Sequence, residues 1–201
     1  SMKLRRLLAA TLLLPLAACG PKPVRSDSEL AQSEGAMLDQ VAAELATLAQ
    51  PALKGGGRAL VVRASAACTA ADQQAILEQN LRQHLGAAEC AVVQQPDLKP
   101  PADAPPGLPI SPQPLTAAWL APQVKQHKPA VVICLYSEPD AGVGVPLVCH
   151  SPAGGAHLAE LIKSGAVLGA VASNHKPPAA RKPTWFEQRY TVLTRENVGA
   201  W

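Results

Sequence analysis

Between Ser28 and Gln50 the apolar residues Leu30, Met37, Leu38, Val41, Leu45 and Leu48 recur mostly every three or four positions. That spacing places them on one face of an α-helix. The opposite face carries Glu34, Asp39 and Glu44 and no lysine, so the stripe reads as a surface docked on the chain's own core, not as one adsorbed on anionic lipid. Pro51 and Gly55-Gly56-Gly57 are expected to end the helix. Arg58 to Ala64 is a short apolar run that predicts a strand. Thr69 then offers an N-cap with Asp72 three residues on, a helix runs to about Leu85 before Gly86, and Cys90-Ala91-Val92-Val93 forms the next strand. Strand, helix and strand in so short a span predict a parallel pair with a crossover helix.

Eight of the chain's 20 prolines fall between Gln94 and Pro114, which makes 94–114 a loop or hinge and at most an edge strand. The second half then repeats the grammar of the first. Thr116 to His127 predicts a helix, and Pro129 to Tyr136 a strand apolar enough to be buried on both faces. Val145 to Cys149 is another strand, with a helix from Ala156 to Ser164 and a strand from Ala166 to Val171 after it. Gln188 to Leu193 alternates as an edge strand would. If the strands at 129–136 and 145–149 are neighbours, their short connection implies antiparallel pairing. The expected architecture is a small α/β sandwich with a mostly parallel central sheet flanked by helices. Residues 29–201 form a single domain with the Pro-rich loop inside it. In grammar, though not in motif, each half is similar to a lobe of the periplasmic binding proteins.

Ahead of that domain, Lys3, Arg5 and Arg6 lead into an apolar run from Leu7 to Leu16 and then small residues before a cysteine. This is the build of a secretory signal peptide. The run is about half the ~20 residues a bilayer-spanning helix needs, and it contains Pro15. Leu16-Ala17-Ala18-Cys19 resembles the lipobox of bacterial lipoproteins, and the resemblance implies removal of residues 1–18, a lipid on Cys19 and a tether over 19–28. With Gly20 instead of Asp after Cys19, it also implies delivery to the periplasmic face of the outer membrane, in the bacterial cell envelope.

Cleavage changes the electrostatic picture. The formal charge of +3 comes from 18 basic and 15 acidic side chains, and the three basic residues of the leader account for it. The mature chain is balanced and has no basic run to track a phosphate backbone, so nucleic acid is not an expected partner. Assigning Cys19 to lipid leaves Cys68, Cys90, Cys134 and Cys149, an even number in an oxidising compartment. The local pairing Cys68–Cys90 with Cys134–Cys149 needs the fewest assumptions, against buried free thiols as the alternative. No Cys-x-x-Cys pair suggests zinc, and neither a metal nor a cofactor is expected.

The best candidate for a ligand site is the turn from Cys149 to His157. Ser151, Gly154, Gly155 and His157 lie there between a strand and a helix N-terminus, a setting that favours an anion. His150 adjoins Cys149 on a strand and so points to the opposite face. His157 could approach Ser151, but no acid is fixed by spacing. Nucleotide-loop, metalloprotease and Gly-x-Ser-x-Gly patterns are lacking, so no catalytic residues are assigned and an enzyme is not expected. The sequence therefore favours an accessory lipoprotein that binds another envelope protein, with small-solute or anion binding at 151–157 as the alternative.

Overall fold

The 27 residues Asp27–Leu53 form α1 in the computed structural model of the chain, which describes residues 27–65, 71–97, 114–151, 156–173, 186 and 189–200. The leader, Cys19, the tether up to residue 26, Cys68, Thr69, Gly154, Gly155 and most of the Pro-rich loop lie outside the described residues. Helix α1 outlasts its expected end: Pro51 sits inside its final turn, and the chain leaves only at Leu53. Its buried stripe, with Val41, Ala42, Leu45 and Ala49 fully shielded, docks on the protein's own core as expected.

After α1 come β1 (Ala59–Arg63), α2 (Ala71–Leu85), β2 (Cys90–Gln94), α3 (Ala117–His127), β3 (Val131–Leu135), β4 (Leu147–Ser151), α4 (Ala156–Ser164), β5 (Val167–Ser173) and β6 (Tyr190–Thr194). The sheet order is β2-β1-β3-β4-β5-β6. All pairs are parallel except the antiparallel β5–β6 at one edge. A mostly parallel α/β sandwich is thus what the chain forms.

One core lies between the sheet and α1 with α2, using Val61, Ile133, Val148 and Val171. The other lies beneath α3 and α4, using Leu60, Val132, Cys134, Cys149 and Ala170. Alternation along each strand assigns neighbouring residues to opposite cores. Close approach fixes the glycine in β5: a Cβ at Gly169 would stand 2.7 Å from both the Leu193 carbonyl oxygen and a Leu48 methyl, so there is room there only for hydrogen.

One expectation is overturned. Strands β3 and β4 are neighbours, yet parallel, with Val132 opposite Leu147 and Cys134 opposite Cys149. The connection at 136–146 contains no helix, but 11 extended residues reach roughly 36 Å. A five-residue strand is about 17 Å long, so the chain has ample length to return to the start of the sheet without one. The loop is stitched to the entrance of α3 on the way. Leu115 N–H donates to the Glu138 carbonyl (2.6 Å) and Asp140 N–H to the Leu115 carbonyl (3.0 Å).

Candidate functional site at the carboxyl edge of the sheet

The strand order reverses between β1 and β3, so β2 extends the sheet one way from β1 and β3 to β5 the other. In open α/β sheets a crevice forms at such a point, outside the carboxyl ends of the strands. The register places Arg63 beside Leu135, which brings Ala64 and Ser65 alongside Tyr136 and Ser137. It also places Cys134 beside Cys149, so His150 and Ser151 flank the same end of β3.

The side chains gathered there are polar and mostly buried. Gln74, on the first turns of α2, is 3 % exposed and donates from Nε2 to the Ala64 carbonyl at 3.4 Å, which holds its amide over the end of β1. Ser65 donates to Asp97 at 2.8 Å. Glu78 is buried between two guanidinium groups, paired with Arg63 and with Arg82 at 3.0 Å. Tyr136, the residue after β3, stands in the left-handed region at φ 55°. For an aromatic residue that conformation is costly, and such strain concentrates at functional edges.

Tyr136 packs edge-on against His150, ring centroids 4.4 Å apart, and the Tyr190 ring lies 5.8 Å from His150. Burial alone depresses the His150 pKa to about 4, so the imidazole is neutral at neutral pH. Burial also raises the Tyr136 and Tyr190 hydroxyls. These rings therefore offer hydrogen bonds without charge.

Four buried side-chain atoms among the described residues lack a hydrogen-bond partner: Gln74 Oε1, Ser137 Oγ, and Nδ1 and Nε2 of His150. All belong to residues at this one end of the sheet. Leaving such a group unpaired costs roughly 1–3 kcal/mol. Four such atoms at one end of the sheet call for a polar partner, a bound water or a ligand, to complete them.

The sequence-predicted site is rearranged by the structure. Ser151 belongs to the end of β4, not to the turn, and is fully buried; its hydroxyl donates to Glu138. His157 opens α4 and is exposed, its Nε2 lying 2.6 Å from the Asp140 carbonyl oxygen. The Asp140 carboxylate accepts from Ala117 N–H at 2.7 Å, capping α3, and Glu160 pairs with Lys163. Neither acid orients His157 through its carboxylate in these contacts, and His150 lies across β4 from Ser151. Cys90, Cys134 and Cys149 carry free thiols in this structure, and Cys68 lies outside the described residues. No group of three or more His, Cys, Asp or Glu among the described residues could hold a metal ion.

Sequence reasoning missed Gln74, Ser137 and Tyr136, because each depends on its place at the end of a strand and not on a motif. Two grooves, of about 430 and 410 Å³, lie at the opposite end of the sheet. The first is lined by the turn 142–146 and by 164–166, and contains no charged side chain.

No family model matches the chain, and no curated protein does. Among solved structures it is similar to a chain described as a LacI transcriptional regulator from Bacteroides fragilis, with TM-score 0.49, 13 % identity, and coverage of 82 % of this chain and 61 % of that one. A sugar-binding protein of a sugar ABC transporter from Bacillus halodurans gives TM-score 0.48 and 12 % identity, covering 79 % and 62 %. AraP, an arabinose binding protein from Geobacillus stearothermophilus, gives 0.46 and 14 %, covering 83 % and 62 %. The chain thus spans about three fifths of the length of these proteins, and at such identities their activities do not transfer to it.

Proposed function

We propose that the chain is a binding protein of the bacterial cell envelope, lipid-anchored through Cys19, that holds a small uncharged polar solute against the carboxyl edge of its parallel sheet. The observation that carries this reading is the clustering of unpartnered buried atoms at Gln74, Ser137 and His150. An amide oxygen, a hydroxyl and a neutral imidazole can together accept and donate hydrogen bonds. The charged groups nearby, Arg63, Glu78 and Asp97, already have partners. A ligand bearing hydroxyls or amides therefore fits better than an anion, and the edge of the sheet replaces the turn at 151–157 as its site.

Thermal shift against parallel panels of neutral polyols, sugars and amides, and of inorganic and organic anions, tests the proposal. A neutral ligand at 100 times its Kd stabilises by ~2.7 kcal/mol, a rise of about 5–10 °C in Tm for a domain of this size. Ser137→Ala, which removes a buried oxygen that has no partner, should reduce that rise without lowering the unliganded Tm. A rise confined to the anion panel would return the site to the turn at 151–157. Silence in both panels, with specific capture of an envelope protein, would replace the solute reading altogether.

A further inference from the structure

Cys134 and Cys149 are separated by the one crossover in the parallel sheet that has no helix, and they end up directly opposite each other on β3 and β4. Adjacent strands lie about 4.7–4.9 Å apart, within the ~4.4–6.8 Å Cα separation that a disulfide spans. Equivalent register positions point to the same face, and both residues are in the core beneath α3 and α4. Their thiols interact directly: hydrogen bonding to Cys134, followed by burial, holds the Cys149 thiol protonated well above its usual range. Neither has any solvent exposure. In the finished sheet they are inert, so a bond between them has to form while β4 is still docking on β3.

We propose that Cys134 and Cys149 become a disulfide when the chain folds in an oxidising compartment, and that this bond clamps both ends of the β3–β4 crossover. The Cys134 thiolate attacks a protein disulfide oxidant and forms a mixed disulfide. The Cys149 thiolate then attacks the Cys134 sulfur and expels the oxidant's remaining thiol. Two electrons reduce the oxidant's S–S bond to two thiols, which take up the two protons the cysteines lose. The clamp fixes Tyr136 and Ser137 on one side and His150 and Ser151 on the other, so it sets the spacing of the carboxyl edge whether or not a solute binds there.

Peptide mapping without reductant, on the full chain exported to a bacterial periplasm and alkylated in denaturant, decides the matter. A linked peptide pair containing Cys134 and Cys149 is expected, and that pair should be absent from material retained in the cytoplasm. Alkylation of both residues in exported protein, or either one joined to Cys68 or Cys90, overturns the proposal. Closing a loop of about 15 residues should raise Tm by an amount on the order of 10 °C relative to the same protein reduced in denaturant and refolded. The Cys134→Ala/Cys149→Ala variant should show no such difference between the two preparations. A linked pair with no Tm difference would refute the clamp while leaving the bond. None of these readouts involves a ligand, so they stand apart from the solute-binding reading.

Discussion

Acidification should unfold this protein by a route that runs through His150. The ring is fully buried against Tyr136 and Tyr190, its nitrogens have no partner, and its pKa is lowered from 6.5 to about 4. In the unfolded chain the same imidazole takes up a proton near pH 6.5. The contribution is therefore complete above pH 6.5 and is lost as pH falls from there towards 4, because the unfolded state binds the proton first. A difference of about 2.5 pKa units corresponds to roughly 3 kcal/mol across that window, or about 6–12 °C in Tm.

Melting curves at intervals from pH 7.5 to 4.5, for the wild type and for His150→Phe, isolate the effect. The phenyl ring fills similar space beside the two tyrosines and cannot titrate. The two proteins should lose stability at different rates, the wild type falling faster by several degrees between pH 6.5 and 4.5. Parallel curves, or a His150 ring titrating near pH 6.5 in the folded protein, would refute the assigned burial.

Other perturbations probe the packing. Leu45→Ala empties a fully buried position where α1 meets the sheet and should cost about 2–5 kcal/mol by chemical denaturation. Gly169→Ala drives a methyl into the Leu193 carbonyl and Leu48; a loss of about 1–3 kcal/mol is expected, whereas Gly35→Ala, in open space on α1, should stabilise by up to about 1 kcal/mol. Thr116→Ala removes the side-chain acceptor for Trp119 N–H at the start of α3 and should cost about 1 kcal/mol. Lys128 caps the end of α3 at φ 47°, so Lys128→Gly should recover a few tenths to about 1 kcal/mol in the same assay.

Periodicity carried the sequence reading furthest where it was long and uninterrupted. The α1 stripe, the helix at 156–164 and the apolar run that becomes β3 were all legible, since each repeats at the spacing of its own structure. Boundaries failed where a punctuating residue had two uses. Pro51 reads as a stop, yet it fits within the last turn of α1. The pairing of β3 with β4 could not be read from loop length: 11 residues suffice for either direction, and only the shared packing beneath the helices decides between them.

The site was harder still. In α2 the buried face carries Gln74 and Glu78 beside Leu77 and Leu81, while Ile76 faces solvent, an inversion that hydropathy alone reads backwards. Gln74 is held by a backbone carbonyl of β1 and Glu78 by arginines from β1 and α2, and such partners exist only once the strands are aligned. His150 was correctly placed across the strand from Cys149, but its pairing with Tyr136 follows from register, which the local sequence does not encode.

The most direct measurement is an NMR titration of the full chain, labelled at its histidine rings and backbone amides, with a neutral polyol or sugar that gives a thermal shift. The account predicts that the His150 ring nitrogens and the amides of Ala64, Ser65, Ser137 and Gln74 move together and saturate at one Kd. Perturbations centred on 142–146, on 54–57 or on His157, with the His150 ring unmoved, would contradict it.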